Sequence, residues 1–439
     1  MLNKFKKVEK TGIVRRRIKM WALESVFYQI YPLGFCGAPQ KNDGVVKNRI
    51  LKVLNITEHL KKIGVDAVLF NPLFDSDAHG YDIRHYDEID PRLGTEKDFI
   101  KVCKDIHSKG MKIVIDGVFN HAGRGFFAFQ DVLRHRERSE YKDWFYINFA
   151  GNSYKYDGLW YEGWEGHYEL VKFNLKNEDL VNYLLNCVKG WIEKFDIDGL
   201  RLDVAYSLDH DFIKRLVKFC RDIKPDFFFV GEMLHGDYNT LMGPDMLDSI
   251  TNYECYKGIY SSFNDMNMFE IAHSLNRQYG AEEWCLYTGK HLFNFVDNHD
   301  VTRIASALRN PEQLYPAFAL LLTMPGIPCI YYGSEWGISG IKNSDDSALR
   351  PQIFEPEFNN LTEYIQSLIE IRKSTPAIIY GDYENVIIDN KYLLFKRCCK
   401  DGNVLVAINA DGEHHKVDVP ISSIGTVELE PYETRIIEY

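Results

Sequence analysis

The sequence has no apolar run long enough to cross a bilayer, and none of the length a signal peptide needs. Neither a helical membrane protein nor a secreted one is expected, and the chain reads as cytoplasmic. It has no excess of positive charge: 63 Asp and Glu against 52 Lys and Arg leave a formal net charge of −11. That balance argues against nucleic acid or an anionic membrane as partner and suits a neutral substrate. It has no CxxC pair. Its nine cysteines are an odd number and scattered; Cys103, Cys187 and Cys220 fall on helical apolar faces and Cys329 in a strand, which predicts reduced core thiols. It has no low-complexity segment and no internal repeat beyond an alternation of strand and helix signals. The exception to the acidity is local. Eight Lys and Arg crowd the first twenty residues, and 1–20 reads as a loosely docked basic extension.

What is present is a chain of 439 residues, 45% hydrophobic and 14% aromatic. It is long enough for one large α/β barrel plus a small appendage. Short apolar strands at 25–31, 65–74 and 111–116 alternate with helical patterns at 53–63 and 96–109, each helix stopped by a glycine. After residue 121 the rhythm breaks into a stretch rich in Trp, Tyr and Gly. It resumes with helix 178–194, strand 197–203, helix 211–223 and strand 227–231. Further strands are expected near 249–252, 292–297 and 327–332. The reading is a (β/α)8 barrel (21–121 and 175–376) interrupted after its third strand by an inserted domain, 122–174. Short alternating strands from 377 to 439 predict a C-terminal antiparallel β-sandwich.

Three of these strands run into a carboxylate: GLRLD ends at Asp203, FFFVGE at Glu232 and FNFVDNHD at Asp300. Active sites of such barrels sit at the C-terminal ends of the strands. Cleaving a glycosidic bond with retention takes a carboxylate nucleophile and a carboxylic acid about 5–5.5 Å apart. Neighbouring strand ends can supply that pair as Asp203 and Glu232. Arg201, two residues before Asp203 on the same strand face, would keep Asp203 ionised. The apolar run Phe227–Val230 predicts a low-dielectric setting that keeps Glu232 protonated as an acid. Asp300 could hold sugar hydroxyls and stabilise developing positive charge.

At this point the chain resembles a known family, the alpha-amylase family of glycoside hydrolases. DGVFNH (116–121), GLRLDVA (199–205), GEM (231–233) and FVDNHD (295–300) match four of its signature segments in order. FYQIYP (27–32), HGYDIRHYDEIDPRLGT (79–95) and GIPCIYYGSEWG (326–337) match further segments. The resemblance implies Asp203 as nucleophile, Glu232 as general acid/base and Asp300 as transition-state stabiliser. It implies Tyr81 as the stacking platform under the reacting sugar, with His121, Arg201 and His299 as hydrogen-bond partners there. Asp82 and Asn298 are weaker candidates, Asp82 as an orienter of its loop.

The chain also departs from the family's commonest pattern. Calcium-dependent members carry an LPDL-like segment whose Asp binds structural Ca²⁺; here the matching stretch is LVKFN (170–174), with Lys172 at that place. An ammonium repels Ca²⁺, so no metal and no cofactor are expected, although Asn120 remains. Tyr206 and Ser207 stand where a Lys-His pair is usual. KFN, DSITNYECY (248–256) and SDDSALRP (344–351) resemble the neopullulanase and cyclomaltodextrinase group. In that group an Asp and an Arg four apart, here Asp346 and Arg350, bind sugar units beyond the cleavage point. The group also carries an N-terminal β domain, whereas about 20 residues precede the first strand here. The implied function is retaining hydrolysis of α-1,4 bonds in maltooligosaccharides and short α-glucans, with tolerance of α-1,6 bonds left open. An α-glucosidase, a transglycosylase, a trehalose-forming isomerase and a catalytically silent carbohydrate-binding scaffold remain as alternatives.

Overall fold

The computed structural model describes residues 20–153 and 155–439; the basic extension lies outside the described residues except for Met20. Eight parallel strands form one sheet: β1 (Phe27–Ile30), β2 (Ala67–Phe70), β3 (Lys112–Gly117), β4 (Gly199–Leu202), β5 (Phe228–Gly231), β6 (Ser249–Ile250), β7 (Phe293–Phe295) and β8 (Ile327–Tyr331). Their order is β6-β5-β4-β3-β2-β1-β8-β7. A parallel bridge between Thr251 and Phe293 joins the two ends and closes the barrel. Both faces of these strands are buried, which is why they read as continuous apolar runs.

The barrel interior is filled by side chains from alternate strand positions, among them Phe27, Leu69, Val114, Phe228, Phe293 and Ile327. A short 3-10 turn, Trp21–Glu24, plugs the N-terminal end. Trp21 stacks on Phe27 at 5.8 Å and meets Phe228 edge-on at 5.7 Å. Helices cover the outside. Glu96–Ser108 opens on a Thr95–Asp98 capping box and buries Phe99, Val102, Cys103 and Ile106. Between β5 and β6 the alternation fails: among the described residues the connection holds only the 3-10 turn Tyr238–Thr240.

The strands are shorter than the sequence suggests. The 65–74 strand ends at Phe70. There the Asn71 side chain turns inward to the barrel mouth, and Pro72 brings no N–H for a ladder bond. Residues 74–76 instead pair with 83–89 as a separate antiparallel ribbon. The inserted segment is antiparallel: His167–Lys172 lies between His121–Gly123 and Gly163–Trp164. Its aromatics pack inward, with Phe126 against Phe127, Trp144, Phe145 and Phe173.

At the C-terminal end, helix Pro376–Tyr380 takes the first residues of the stretch read as sandwich, and the sheet starts at Asp382. Four antiparallel strands cover a two-stranded ribbon, His415–Asp418 with Thr426–Leu429. Leu394, Leu405, Ala407, Val417, Val427 and Leu429 fill the space between the layers. All nine cysteines are free thiols. No helix among the described residues is long and apolar enough to cross a membrane.

Candidate active site

The C-terminal ends of the barrel strands open into a cleft of about 670 Å³. Its floor is organised by one guanidinium. Arg201 on β4 lies beside Asp116 on β3 in the parallel register. Its Nη1 donates to both Asp116 oxygens at 2.6 Å. Its Nη2 pairs with Glu232 Oε1 at 2.9 Å, and Nη1 is 3.4 Å from Asp203 Oδ1. All four groups are buried. A buried cation costs several kcal/mol unless it is paired, and here three carboxylates surround it.

This corrects the expectation that Arg201 chiefly serves Asp203. Its shortest contacts are to Asp116 and Glu232. Burial first, and the charge of Glu232 second, push the Asp203 carboxyl well above the usual carboxylate range, against the pull of Arg201. Glu232 is buried, as its apolar lead-in predicts. It also accepts the Val204 N–H at 3.0 Å and faces the Tyr253 hydroxyl at 3.5 Å.

Asp300 has the opposite environment. Burial, the largest single effect, would raise it, but His299, Arg350 and Arg201 outweigh that and hold its carboxyl well below the usual range. His299 Nε2 is 2.9 Å from Asp300 Oδ2, and Arg350 Nη2 is 2.9 Å from Oδ1. Gln29 Nε2 donates to His299 Nδ1 at 3.0 Å, which leaves Nε2 as the protonated nitrogen facing Asp300. Gln29 also donates to Asn71, and Asn71 donates to Tyr81 and Asp116. The Tyr81 ring stacks on His299 at 5.7 Å, and Tyr31 stacks on His299 at 5.9 Å. Tyr81 thus presents a rigidly backed ring edge and face to the cleft.

His121 is buried, and its Nδ1 is 3.1 Å from Asn120 Nδ2. Burial drives its imidazole down to about 3, so it is neutral. Its Nε2 has no partner among the described residues, while the residue lines the cleft. An unpartnered buried nitrogen at a cleft wall is a place for a ligand hydroxyl. Asp346 and Arg350 are 3.4 Å apart and both line the cleft. Arg350 is the more committed of the two: it also donates to the His299 carbonyl and lies over the Tyr31 ring at 4.5 Å. Asp82 accepts the His79 N–H and so shapes the loop that carries Tyr81. Asn298 donates to the Tyr253 hydroxyl.

The fold and the cleft together are matched by the family described as "Alpha amylase, catalytic domain", over residues 29–363. The chain belongs to the alpha-amylase family. It is a glycosidase. It is 32% identical to Neopullulanase 2 of Thermoactinomyces vulgaris over 432 residues, 92% of this chain and 72% of that protein. It is 29% identical to the Cyclomaltodextrinase of Geobacillus thermopakistaniensis over 429 residues, again 92% and 72%. Among solved structures, the ligand-free cyclic alpha-maltosyl-(1→6)-maltose hydrolase from Arthrobacter globiformis superposes with a TM-score of 0.83 at 26% identity, over 95% of this chain and 99% of that one.

Within this amylase-family cleft, sequence reasoning passed over several residues. Asp116 was quoted in a motif but given no role, although it closes an apolar run just as Asp203 does. Gln29, Asn71 and Tyr31 come from β1 and the ends of β1 and β2, where they read as ordinary strand residues. Tyr253 was within a matched segment, but only the fold brings it to Glu232. At the place where calcium-dependent members carry an Asp, the Lys172 Nζ is 2.6 Å from Glu162 Oε1, and the strand pairs Lys172 with His121. A cation already occupies the position of an expected ligand, so these residues do not fit a calcium ion.

Proposed function

We propose that this enzyme hydrolyses α-1,4-glucosidic bonds, and tolerates α-1,6 bonds, in maltooligosaccharides and short α-glucans by double displacement. The observation that carries the reading is the pairing of Asp203 and Glu232 across one guanidinium, with Asp300 on the other side held ionised by His299 and Arg350. Glu232 donates its proton to the glycosidic oxygen as the bond to C1 breaks, and Asp203 attacks C1 to form an ester. Glu232, now a carboxylate, takes a proton from water. That water adds to C1, and Asp203 leaves as a carboxylate. Asp300, His299 and the neutral His121 hold the hydroxyls of the reacting sugar, over Tyr81.

The chemistry needs one carboxylate and one acid, and two buried carboxyl groups sharing the Arg201 guanidinium supply the pair. Relatives named maltogenic amylase, neopullulanase and cyclomaltodextrinase support the choice of α-glucan substrate. Those named intracellular maltogenic amylase support a cytoplasmic setting. Lys172 supports catalysis without structural calcium.

The deciding measurement is the anomer released first. NMR during turnover of maltotriose is expected to record the α-anomer before mutarotation; a first-formed β-anomer would overturn double displacement.

A further inference from the structure

The end of the cleft next to Glu232 is where the leaving group must lie, because Glu232 is read as the acid that protonates it. Its two walls come from different parts of the chain. Trp164, His167 and Leu170 of the inserted domain form one; Val204, Tyr206 and Leu234 of the barrel loops form the other. A side-chain hydrogen bond crosses between them, from the Tyr206 hydroxyl to Glu165 Oε1 at 3.0 Å. Glu165 sits at the tip of the inserted hairpin, between Gly163–Trp164 and His167–Lys172. It has φ 48° and is followed by Gly166 at φ 86°. Two successive left-handed residues make the tight reversal that matches strand twist, so the tip holds its carboxylate at a set height over the cleft. Burial and the Glu165 charge push the Tyr206 phenol upward, so it stays protonated and remains a donor. Leu234, which also lines the cleft, is an apolar side chain left 43% exposed.

We propose that the Tyr206–Glu165 hydrogen bond closes the leaving-group end of the cleft and limits the length of α-glucan chain accepted there. Short leaving groups fit against Tyr206 and Leu234 under the crossing. A polymer continuing past them must break it. The inference rests on the assignment of Glu232 as the acid.

The test compares kcat/KM for amylose with kcat/KM for maltotriose in Tyr206→Phe, Glu165→Ala and the double variant. Tyr206→Phe keeps the ring and removes one oxygen, and Glu165 is an exposed turn residue, so folding is preserved. Each single variant is expected to raise the amylose-to-maltotriose ratio about fivefold, the scale of one hydrogen bond to a charged group. The double variant is expected to match the singles, because both remove the same bond. An unchanged ratio, a rise in only one variant, or a double equal to the product of the singles would overturn the proposal. Glu232→Gln is assayed on maltotriose alongside. Turnover at the parent level would sink the assignment of the acid, independently of whether the ratio moves.

Discussion

The two ends of the cleft are built on different principles. Around Asp300 every polar group is held from several sides: His299 is fixed by Gln29, stacked between Tyr31 and Tyr81, and bonded to an Asp300 that Arg350 also grips. Around Tyr206 the walls are aromatic and aliphatic, a side-chain hydrogen bond joins them, and one wall belongs to the insertion. Preorganised charge is what stabilises a transition state, and it works only if it does not relax. Leaving groups differ from substrate to substrate, and a lightly tied wall suits that variety. On the proposed reading, the rigid end serves the chemistry and the lightly tied end the choice of leaving group.

The sharpest way to break this contrast is Asp203→Asn. Loss of the nucleophile is expected to lower kcat on maltotriose by roughly 10⁴-fold. The same variant is expected to be more stable than the parent. A carboxyl whose folded pKa is raised above its unfolded value costs stability at every pH above that unfolded value, and Asn removes the cost. The melting temperature should therefore rise at pH 7, by about 1 °C for each kcal/mol recovered in a chain of this length. The gain should fade below about pH 4, where the unfolded carboxyl is protonated as well. Calorimetry at pH 7 and pH 4 reads both. A fall in melting temperature at neutral pH would show that the charge of Asp203 is compensated rather than strained.

Next in size is Arg350→Gln, which loosens the tight end. With Asp300 released from the Arg350 guanidinium, kcat is expected to fall about 10²-fold, the cost of a misplacement near 1 Å. The stability sign is opposite to that of Asp203. The folded pKa of Asp300 is depressed, so it contributes stability that is present above the unfolded value and is lost as pH falls through the folded one. The variant should therefore be less stable than the parent at pH 7, and the gap should narrow in acid. If kcat and the pH dependence of melting both match the parent, the Arg350 grip is incidental.

The same contrast explains what could be read in the sequence. Asp203 and Glu232 were legible because each directly follows a short apolar strand; Asp300 lies in the loop beyond Phe293–Phe295 and was legible through its FVDNHD segment. The partner of Arg201 was not. Spacing along β4 pointed to Asp203, but the shorter contact is to Asp116, which sits directly beside Arg201 across the sheet. Strand register is a property of the closed barrel, and linear spacing does not contain it. Strand lengths erred for a related reason: apolar residues continue past the last ladder bond into packing at the barrel mouth, as at Asn71–Phe74. The inserted wall was least legible of all. It has two-residue strands and a turn-tip glutamate, too short for periodicity to register. Its position over Tyr206 depends on contacts far apart in the chain.

Lys172 gives the smallest expected effect, and it tests whether the insertion needs a metal to hold its wall in place. Its ammonium pairs with Glu162 while both side chains keep about a third of their surface in water, 29% and 37%. A pair so exposed contributes at most about 1 kcal/mol, so Lys172→Met should lower the melting temperature by no more than about 1 °C. Adding a chelator to the parent should leave both melting temperature and maltotriose turnover where they were, because the Lys172 ammonium stands where a carboxylate ligand would and neutralises Glu162. The measurement is a thermal melt with EDTA, then with excess Ca²⁺. A drop restored by Ca²⁺ would mean that other oxygen ligands near Asn120 gather a metal despite the lysine. The insertion would then be fixed as firmly as the Asp300 end, and the distinction between a rigid chemical end and a lightly tied selective end would fail.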